Sequence, residues 1–254
     1  MEYEINEQKG ILDYKRSLDF GLMMKYIEVF SRRYPFLGVT SVGRSVMGKE
    51  IPMITLGKGE RAVVYAGAPC GNEWLTSIIL LRFINEYCEL YKQRGRIYNN
   101  TLDYVYSEKS IHIVPMLNPD GVDYKINGEP EGYSGTSLVN KPNVGSLCNF
   151  LRFNDNVRGL VALRLGKEQI SCGESTAKAA LGASRSLERM SGYELLAQSD
   201  TVSLDRLVAW CERELNIPSF EIKCGEEKKG FSADVMFRIY ADLRELLFRF
   251  PFVI

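Results

Sequence analysis

Histidine is almost absent from this sequence: His112 is the only one in 254 residues. A site that needs two imidazoles, as many metal and acid–base centres do, cannot be assembled from this sequence alone. No C-x-x-C pair occurs, and the first thirty residues lack the zones of a secretory signal peptide. We therefore expect a cytoplasmic protein whose six cysteines are reduced thiols, namely Cys70, Cys88, Cys148, Cys172, Cys211 and Cys224.

Long apolar runs and an excess of one charge are also missing. No stretch reaches the roughly 18 apolar residues that cross a bilayer, so we expect no membrane partner. Lysine plus arginine and aspartate plus glutamate both total 32, which argues against a nucleic-acid-binding surface. Hydrophobic residues make up 45% of the chain and charged residues 25%, as in soluble globular proteins. The length suits a single domain over residues 1–254 with a substantial core.

The pattern that is present is an alternation of strand-like and helix-like segments. Short continuous apolar runs at 62–66 and 111–116 are typical of strands buried on both faces. Residues 18–34 and 73–91 carry apolar side chains at helical spacing. Further strands are predicted at 37–42, 51–56, 159–163 and 218–224, and further helices at 175–190, 204–215 and 233–249. This order predicts an α/β fold around a central, largely parallel sheet.

One long interval breaks the alternation. Residues 127–156 are rich in Gly, Ser, Asn and Pro, and no strand or helix is predicted there. A loop of this length inside a domain is usually functional, disordered or left by a deletion. We therefore expect a shortened or irregular segment at about residues 127–158.

Several separate motifs occur in a recognisable order. They are GRSVMGKEIP at 43–52, GAPCGNEW at 67–74 and VPMLNPDG at 114–121, followed by Ser191-Gly192-Tyr193, Trp210 and Ile217-Pro218-Ser219-Phe220. Together they resemble the zinc carboxypeptidases of the carboxypeptidase A superfamily, nearest to the bacterial γ-D-glutamyl-diaminopimelate peptidases. The resemblance covers residues 19–125 closely and 160–248 more loosely. It implies a mixed, mainly parallel sheet between helices, and an ancestry in zinc-dependent cleavage of peptidoglycan peptides.

The resemblance also assigns positions to the parts of a zinc site. In the family, a His-x-x-Glu pair and a distant histidine hold the metal. The pair falls on Cys70 and Glu73, and the distant histidine on Arg164. The position of the family's general-base glutamate is occupied by Lys223. Its neighbour on the same strand face is Glu221, and the weak remnant of a substrate-binding Asn-Arg pair is Arg158.

The residue types at these positions argue against zinc. A thiolate ligates zinc well, but a guanidinium is a fixed cation that repels the metal. Lysine at the base position cannot accept a proton from a zinc-bound water unless its pKa is strongly depressed. We therefore expect no cofactor, and an ion pair between Glu73 and Arg164 with Lys223 nearby. The predicted function is a catalytically inactive pseudo-peptidase that binds a peptide or another carboxylate ligand; no protein partner is indicated.

Three alternatives remain open. The first is an active metallocarboxypeptidase on peptidoglycan stem peptides, with one zinc held by Cys70, Glu73 and a third ligand from Cys172, Glu168 or Glu221. The second is a hydrolase with Cys70 as nucleophile and His112 as base, although a histidine inside an apolar run favours a structural role. The third is a scaffold that uses only its outer surface. The turn predicted at 118–121 needs no catalytic role.

Overall fold

The computed structural model describes residues 11–128, 144–173, 176, 180–196, 206–225 and 232–254. Ten strands lie in these ranges: β1 (Gly38–Arg44), β2 (Glu50–Gly57), β3 (Arg61–Ala66), β4 (Arg96–Ile97), β5 (Asn100–Thr101), β6 (Lys109–Val114), β7 (Val157–Arg164), β8 (Gln169–Ser171), β9 (Glu194–Leu195) and β10 (Ser219–Lys223). The helices of the same ranges are α1 (Phe20–Arg33), α2 (Trp74–Lys92), α3 (Leu102–Glu108), α4 (Pro119–Asn127), α5 (Val144–Arg152), α6 (Leu181–Ser191), α7 (Arg206–Trp210) and α8 (Ala233–Val253). A π-helical turn, Cys211–Leu215, continues α7.

Eight of the strands form one mixed sheet in the order β1-β2-β6-β3-β7-β10-β8-β9. The four central strands β6, β3, β7 and β10 run parallel to one another, while β1, β2 and β8 each pair antiparallel with a neighbour. The predicted fold class, a mixed and mainly parallel sheet between helices, is confirmed. Because β3, β7 and β10 are parallel, the residues that follow all three strands meet at one edge of the sheet, where open α/β sheets place their ligand sites.

The central strands are apolar on both faces because helices cover both. One face carries Tyr65, Leu163 and Phe220 and packs against a core to which α1, α2, α6 and α8 contribute. The opposite face carries Val64 and Ala162 and packs against α5 and α7. This two-sided burial explains why the strands appear in the sequence as continuous apolar runs instead of alternating patterns.

Two predictions about irregular structure are wrong. Helix α5 lies inside the interval 127–156, where no element was predicted; residues 129–143 of that interval lie outside the described ranges. Leu147 and Leu151, one helical turn apart, bury one face of α5 against the sheet. The turn predicted at 118–121 is instead the start of α4: Asn118 caps the helix by accepting a hydrogen bond from the Gly121 amide at 3.0 Å.

Within the described residues, no helix combines the length and the apolar character that a membrane crossing requires.

Candidate functional site

The turn between β3 and α2 places two candidate residues at the edge of the sheet. Ala68 adopts a positive φ of 45°, which an L-residue rarely does and which turns the chain sharply after the strand. Gly71 lies against α4 so closely that a Cβ at this position would be 2.2 Å from the Gly121 carbonyl oxygen. These two constraints fix the backbone that carries Cys70 and Glu73.

Arg164, the last residue of β7, forms an ion pair with Glu73. Its Nε donates to Oε1 of Glu73 at 2.9 Å and to Oε2 at 3.0 Å. The Leu165 amide donates to Oε1 at 3.2 Å, and the Cys70 amide donates to Oε2 at 3.1 Å. The predicted pairing of Glu73 with Arg164 is therefore present, and two backbone amides reinforce it.

The same guanidinium also reaches Cys70. Its Nη2 lies 3.3 Å from the Cys70 sulfur, within the range for a hydrogen bond to sulfur. Arg164 thus contacts both residues that the resemblance assigns to the first two zinc-ligand positions. The guanidinium lies between the thiol and the carboxylate, which are the groups that would have to converge on a metal.

Lys223 lies beside Arg164 and forms a second ion pair. The two residues are register partners on the adjacent parallel strands β10 and β7. The Nζ of Lys223 is 3.1 Å from Oε1 of Glu221, two residues earlier on the same strand face. The cluster therefore holds two carboxylates and two cations, so its formal charge is balanced.

The two carboxylates of the cluster are more deeply buried than its two cations. The carboxylate side chains of Glu73 and Glu221 are only 4% and 2% exposed. The side chains of Arg164 and Lys223 are 22% and 30% exposed. Negative charge is therefore buried behind the cations, and a ligand approaching this edge of the sheet meets the cations first.

Burial dominates the electrostatics of Glu73. It raises the pKa of the carboxyl above its ordinary value, because a charge is costly where water is excluded. The Arg164 guanidinium and the amides of Leu165 and Cys70 act in the opposite direction and stabilise the ionised form. Without its cation, Glu73 would be a nearly inaccessible and poorly compensated charge.

The donor set of this cluster does not fit zinc. A guanidinium has no lone pair to give and keeps its positive charge in proteins, so Arg164 cannot ligate a metal. No group of three or more His, Cys, Asp or Glu side chains with the geometry of a metal site occurs in the described residues.

The three residues that the sequence offered as a third zinc ligand are paired with cations or buried. Glu168 accepts a hydrogen bond from Arg238 at 2.9 Å, and Glu221 pairs with Lys223. Cys172 is buried, which raises the pKa of its thiol to about 11.

Two other candidates lie away from the cluster. Arg158 is the second residue of β7 and Arg164 the last, which along an extended strand is a separation of roughly 20 Å. The Arg158 guanidinium donates to the Asp155 carbonyl at 2.9 Å. His112 lies within β6, where its Nδ1 is 3.0 Å from the Thr55 hydroxyl oxygen and its ring packs edge-on against Phe150. The structure does not bring Arg158 into the cluster, and the described contacts of His112 are structural.

Sequence reasoning missed the backbone half of this site. The amide of Leu165 and the close approach of Gly71 to α4 hold Glu73 and Cys70 in place. The only signals in the sequence were the glycines at positions 67 and 71, and they do not show which carboxylate the amides serve.

Comparison with known families shows to which family the chain belongs. Residues 23–175 match the family model for zinc carboxypeptidases, which is more than half of the chain. The chain belongs to the zinc carboxypeptidase family. The match includes Cys70, Glu73 and Arg164 and ends before Lys223.

Relatives of this zinc carboxypeptidase family member are similar over part of their length. Gamma-D-glutamyl-L-diamino acid endopeptidase 1 of Lysinibacillus sphaericus is 34% identical over 127 residues, which is 50% of this chain and 31% of the relative. The matched part is thus about a third of that relative's length.

Solved structures share the fold at low identity. Thrombin activatable fibrinolysis inhibitor superposes with a TM-score of 0.73 at 15% identity, covering 94% of this chain and 74% of that one. Carboxypeptidase A from Helicoverpa armigera gives a TM-score of 0.69 at 12% identity, covering 96% and 75% of the two chains. At these identities, the likeness shows the fold alone.

Proposed function

We propose that this family member is a pseudo-peptidase, in which an ion pair between side chains replaces the zinc site. The observation that carries the proposal is the position of the Arg164 guanidinium, 2.9 Å from Glu73 and 3.3 Å from the Cys70 sulfur. A cation of fixed charge that already bonds both groups competes directly with a metal for them. The carboxylate that a zinc ion would neutralise is neutralised by the protein itself.

The base position supports the same proposal. Hydrolysis in this family needs a group that takes a proton from the attacking water. Lys223 at this position is a cation paired with Glu221 at 3.1 Å, and the carboxylate of Glu221 is 2% exposed. The more exposed side chain, Lys223, is therefore a proton donor. The carboxylate of Glu221, which could accept a proton, is enclosed behind it.

We extend the proposal to the ligand: a peptide or small molecule that presents a carboxylate to Arg164 and Lys223. The support is the difference in burial, since both cations are more exposed than the carboxylates that balance them. A ligand carboxylate can accept hydrogen bonds from the outer donors of Arg164 and Lys223 while Glu73 and Glu221 remain in place.

The decisive test is zinc content. Untagged protein is purified without chelator, dialysed against zinc and then against buffer, and its metal is measured by inductively coupled plasma mass spectrometry. We expect far less than one zinc per chain, and no cleavage of a γ-D-glutamyl-diaminopimelate peptide. About one tightly held zinc per chain would overturn the proposal and support the metallopeptidase alternative.

A gain-of-binding variant tests the assigned positions. The triple substitution Cys70→His, Arg164→His, Lys223→Glu restores the residue types that the family uses at its ligand and base positions. We expect it to bind zinc measurably in isothermal titration calorimetry, whereas the parent protein does not. The control Cys70→His alone retains the Arg164 cation and should stay without zinc affinity. A triple variant with no gain in affinity would show that these positions are assigned wrongly.

The ligand is tested separately with a short peptide that has a free C-terminal carboxylate and with the same peptide amidated. We expect only the free acid to bind, and Lys223→Met to weaken it by about tenfold, the effect of losing one charge-assisted hydrogen bond. Lys167→Met is the matched control, because Lys167 is an exposed lysine that pairs with Glu194 at 3.8 Å. Equal binding of acid and amide would remove the carboxylate from the proposal.

A further inference from the structure

The aliphatic part of the Lys223 side chain lies against Gly166, which follows the last residue of β7 by two positions. A Cβ at position 166 would lie 3.0 Å from Cδ of Lys223, 3.3 Å from its Cβ and 3.4 Å from its Cγ. Carbon atoms in van der Waals contact are about 3.5–4.0 Å apart. Any side chain at this position would therefore push the lysine aside, whereas glycine leaves it in place.

The backbone of Gly166 is fixed by the sheet. Its amide donates a hydrogen bond to the Gly225 carbonyl at 2.8 Å, and the Cys224 amide donates to the Arg164 carbonyl at 2.9 Å. These two bonds continue the parallel pairing of β7 and β10 beyond Lys223. Gly166 also has a positive φ of 157°, which residues with a Cβ rarely adopt. The glycine therefore cannot move away from the lysine to make room for a side chain.

The charged end of Lys223 is fixed separately. Its Nζ lies 3.1 Å from Oε1 of Glu221, whose side chain is 2% exposed. The methylene groups thus lie on Gly166, while the ammonium lies on a buried carboxylate. A surface lysine normally loses much rotamer freedom when a ligand binds it, and that loss weakens binding. Because Lys223 is already ordered at both ends, little of this cost remains for a ligand to meet.

We infer that Gly166 is a positioning residue for the carboxylate ligand. It acts through Lys223, whose side chain it keeps in one orientation with the ammonium accessible to the ligand. The inference rests on the proposed binding of a carboxylate by Arg164 and Lys223. It goes beyond that proposal because a side chain at position 166 should weaken carboxylate binding even though both cations are retained.

The test compares Gly166→Ala with the unchanged protein by isothermal titration calorimetry, using the free-acid peptide and its amide. We expect Gly166→Ala to bind the acid severalfold more weakly, but no more weakly than Lys223→Met, whose loss is about tenfold. Gly48→Ala is the matched control, because Gly48 has a positive φ of 80° and no atom of the described residues lies within 4 Å of a Cβ there. It strains the backbone without displacing a lysine and should leave the affinity for the acid unchanged. Full affinity in Gly166→Ala would overturn the inference, as would an equal loss in the control.

A double variant shows whether the glycine acts through the lysine. In a Lys223→Met background there is no ammonium to position, so we expect Gly166→Ala to cause no further loss of affinity for the acid. A further severalfold loss in that background would contradict the inference, because Gly166 would then act on the ligand without Lys223.

A measurement on the unchanged protein keeps the test valid even where Gly166→Ala does not fold. We expect nuclear Overhauser contacts between Hα of Gly166 and the Hγ and Hδ protons of Lys223, both in the free protein and with the peptide bound. Loss of these contacts on binding would show that the lysine is not held in advance. If the unchanged protein binds acid and amide equally, the carboxylate proposal fails and the role of Gly166 with it. If the unchanged protein and Gly166→Ala prefer the acid to the same degree, only the role of Gly166 fails.

Discussion

Arg164 bonds two other side chains of the cluster, the carboxylate of Glu73 and the thiol of Cys70. It is the cation that balances Glu73, whose side chain is 4% exposed. We expect Arg164→Met to lower the free energy of unfolding by roughly 3–5 kcal/mol, because it leaves a buried charge without its partner. The double variant Glu73→Gln, Arg164→Met should recover more than half of that loss in urea denaturation. Simple additivity of the two single losses would contradict a coupled pair.

His112 gives the protein a pH dependence that can be isolated, because no other histidine titrates in the same range. Burial lowers the pKa of His112, so the unfolded chain binds this proton more readily than the folded one. The corresponding stability is complete above the unfolded pKa of about 6.5 and is lost as the pH falls below it. We expect His112→Gln to flatten the loss of stability between pH 7.5 and 5.5. If the free energies of unfolding of the two proteins, measured by urea denaturation, change with pH in the same way, the protonation of His112 does not contribute to the pH dependence of stability.

At the scale of elements, α4 holds the β1–β2 connection through two carboxylates: Asp123 pairs with Lys49, and Asp120 binds two further groups of the connection. Asp120 accepts hydrogen bonds from the Ser45 hydroxyl at 2.8 Å and from the Met47 amide at 3.0 Å. Asp120→Asn loses one of these acceptors, and we expect a cost of about 1–3 kcal/mol in the free energy of unfolding. The exposed Asp234 provides the control, since Asp234→Asn should change stability much less. An equally small effect at Asp120 would mean that the connection is held elsewhere.

The elements that the sequence predicted are those whose burial leaves a strong pattern. The strands β3 and β6 are enclosed on both faces, and their apolar runs are unambiguous. The two-residue strands β4, β5 and β9 are shorter than any recognisable period and were not predicted. Helix α5 was missed because three buried side chains in nine residues give little signal beside a stretch rich in Gly, Ser, Asn and Pro.

For the whole molecule, packing predicts that the six cysteines react unequally. Five of them are between 0% and 7% exposed, whereas Cys70 is partly exposed at the edge of the sheet. We expect iodoacetamide to label only Cys70 in the native protein and all six thiols in the denatured one, as counted by mass spectrometry. Rapid native labelling at Cys148 or Cys172 would indicate that the core opens more readily than this packing allows.

The overall topology shows how far the sequence could predict the site. Arg164 and Lys223 are 59 residues apart in sequence, and they become neighbours because β10 inserts between β7 and β8. No local period encodes that insertion; the family resemblance supplied only the expectation that Lys223 lies near the pair of Glu73 and Arg164. The residue types at the cluster could be predicted from the motifs, but the depth of each charge and the amides that hold Glu73 depend on backbone geometry.

The inner carboxylates and outer cations have a consequence for the conditions under which the cluster keeps its structure. A site assembled from side chains alone is complete as soon as the chain folds, whereas a metal centre has loaded and empty forms. The geometry and charge of this cluster should therefore be insensitive to chelators and to the supply of metal around the protein. A binding function based on it would be constitutive, regulated only by how much ligand is present.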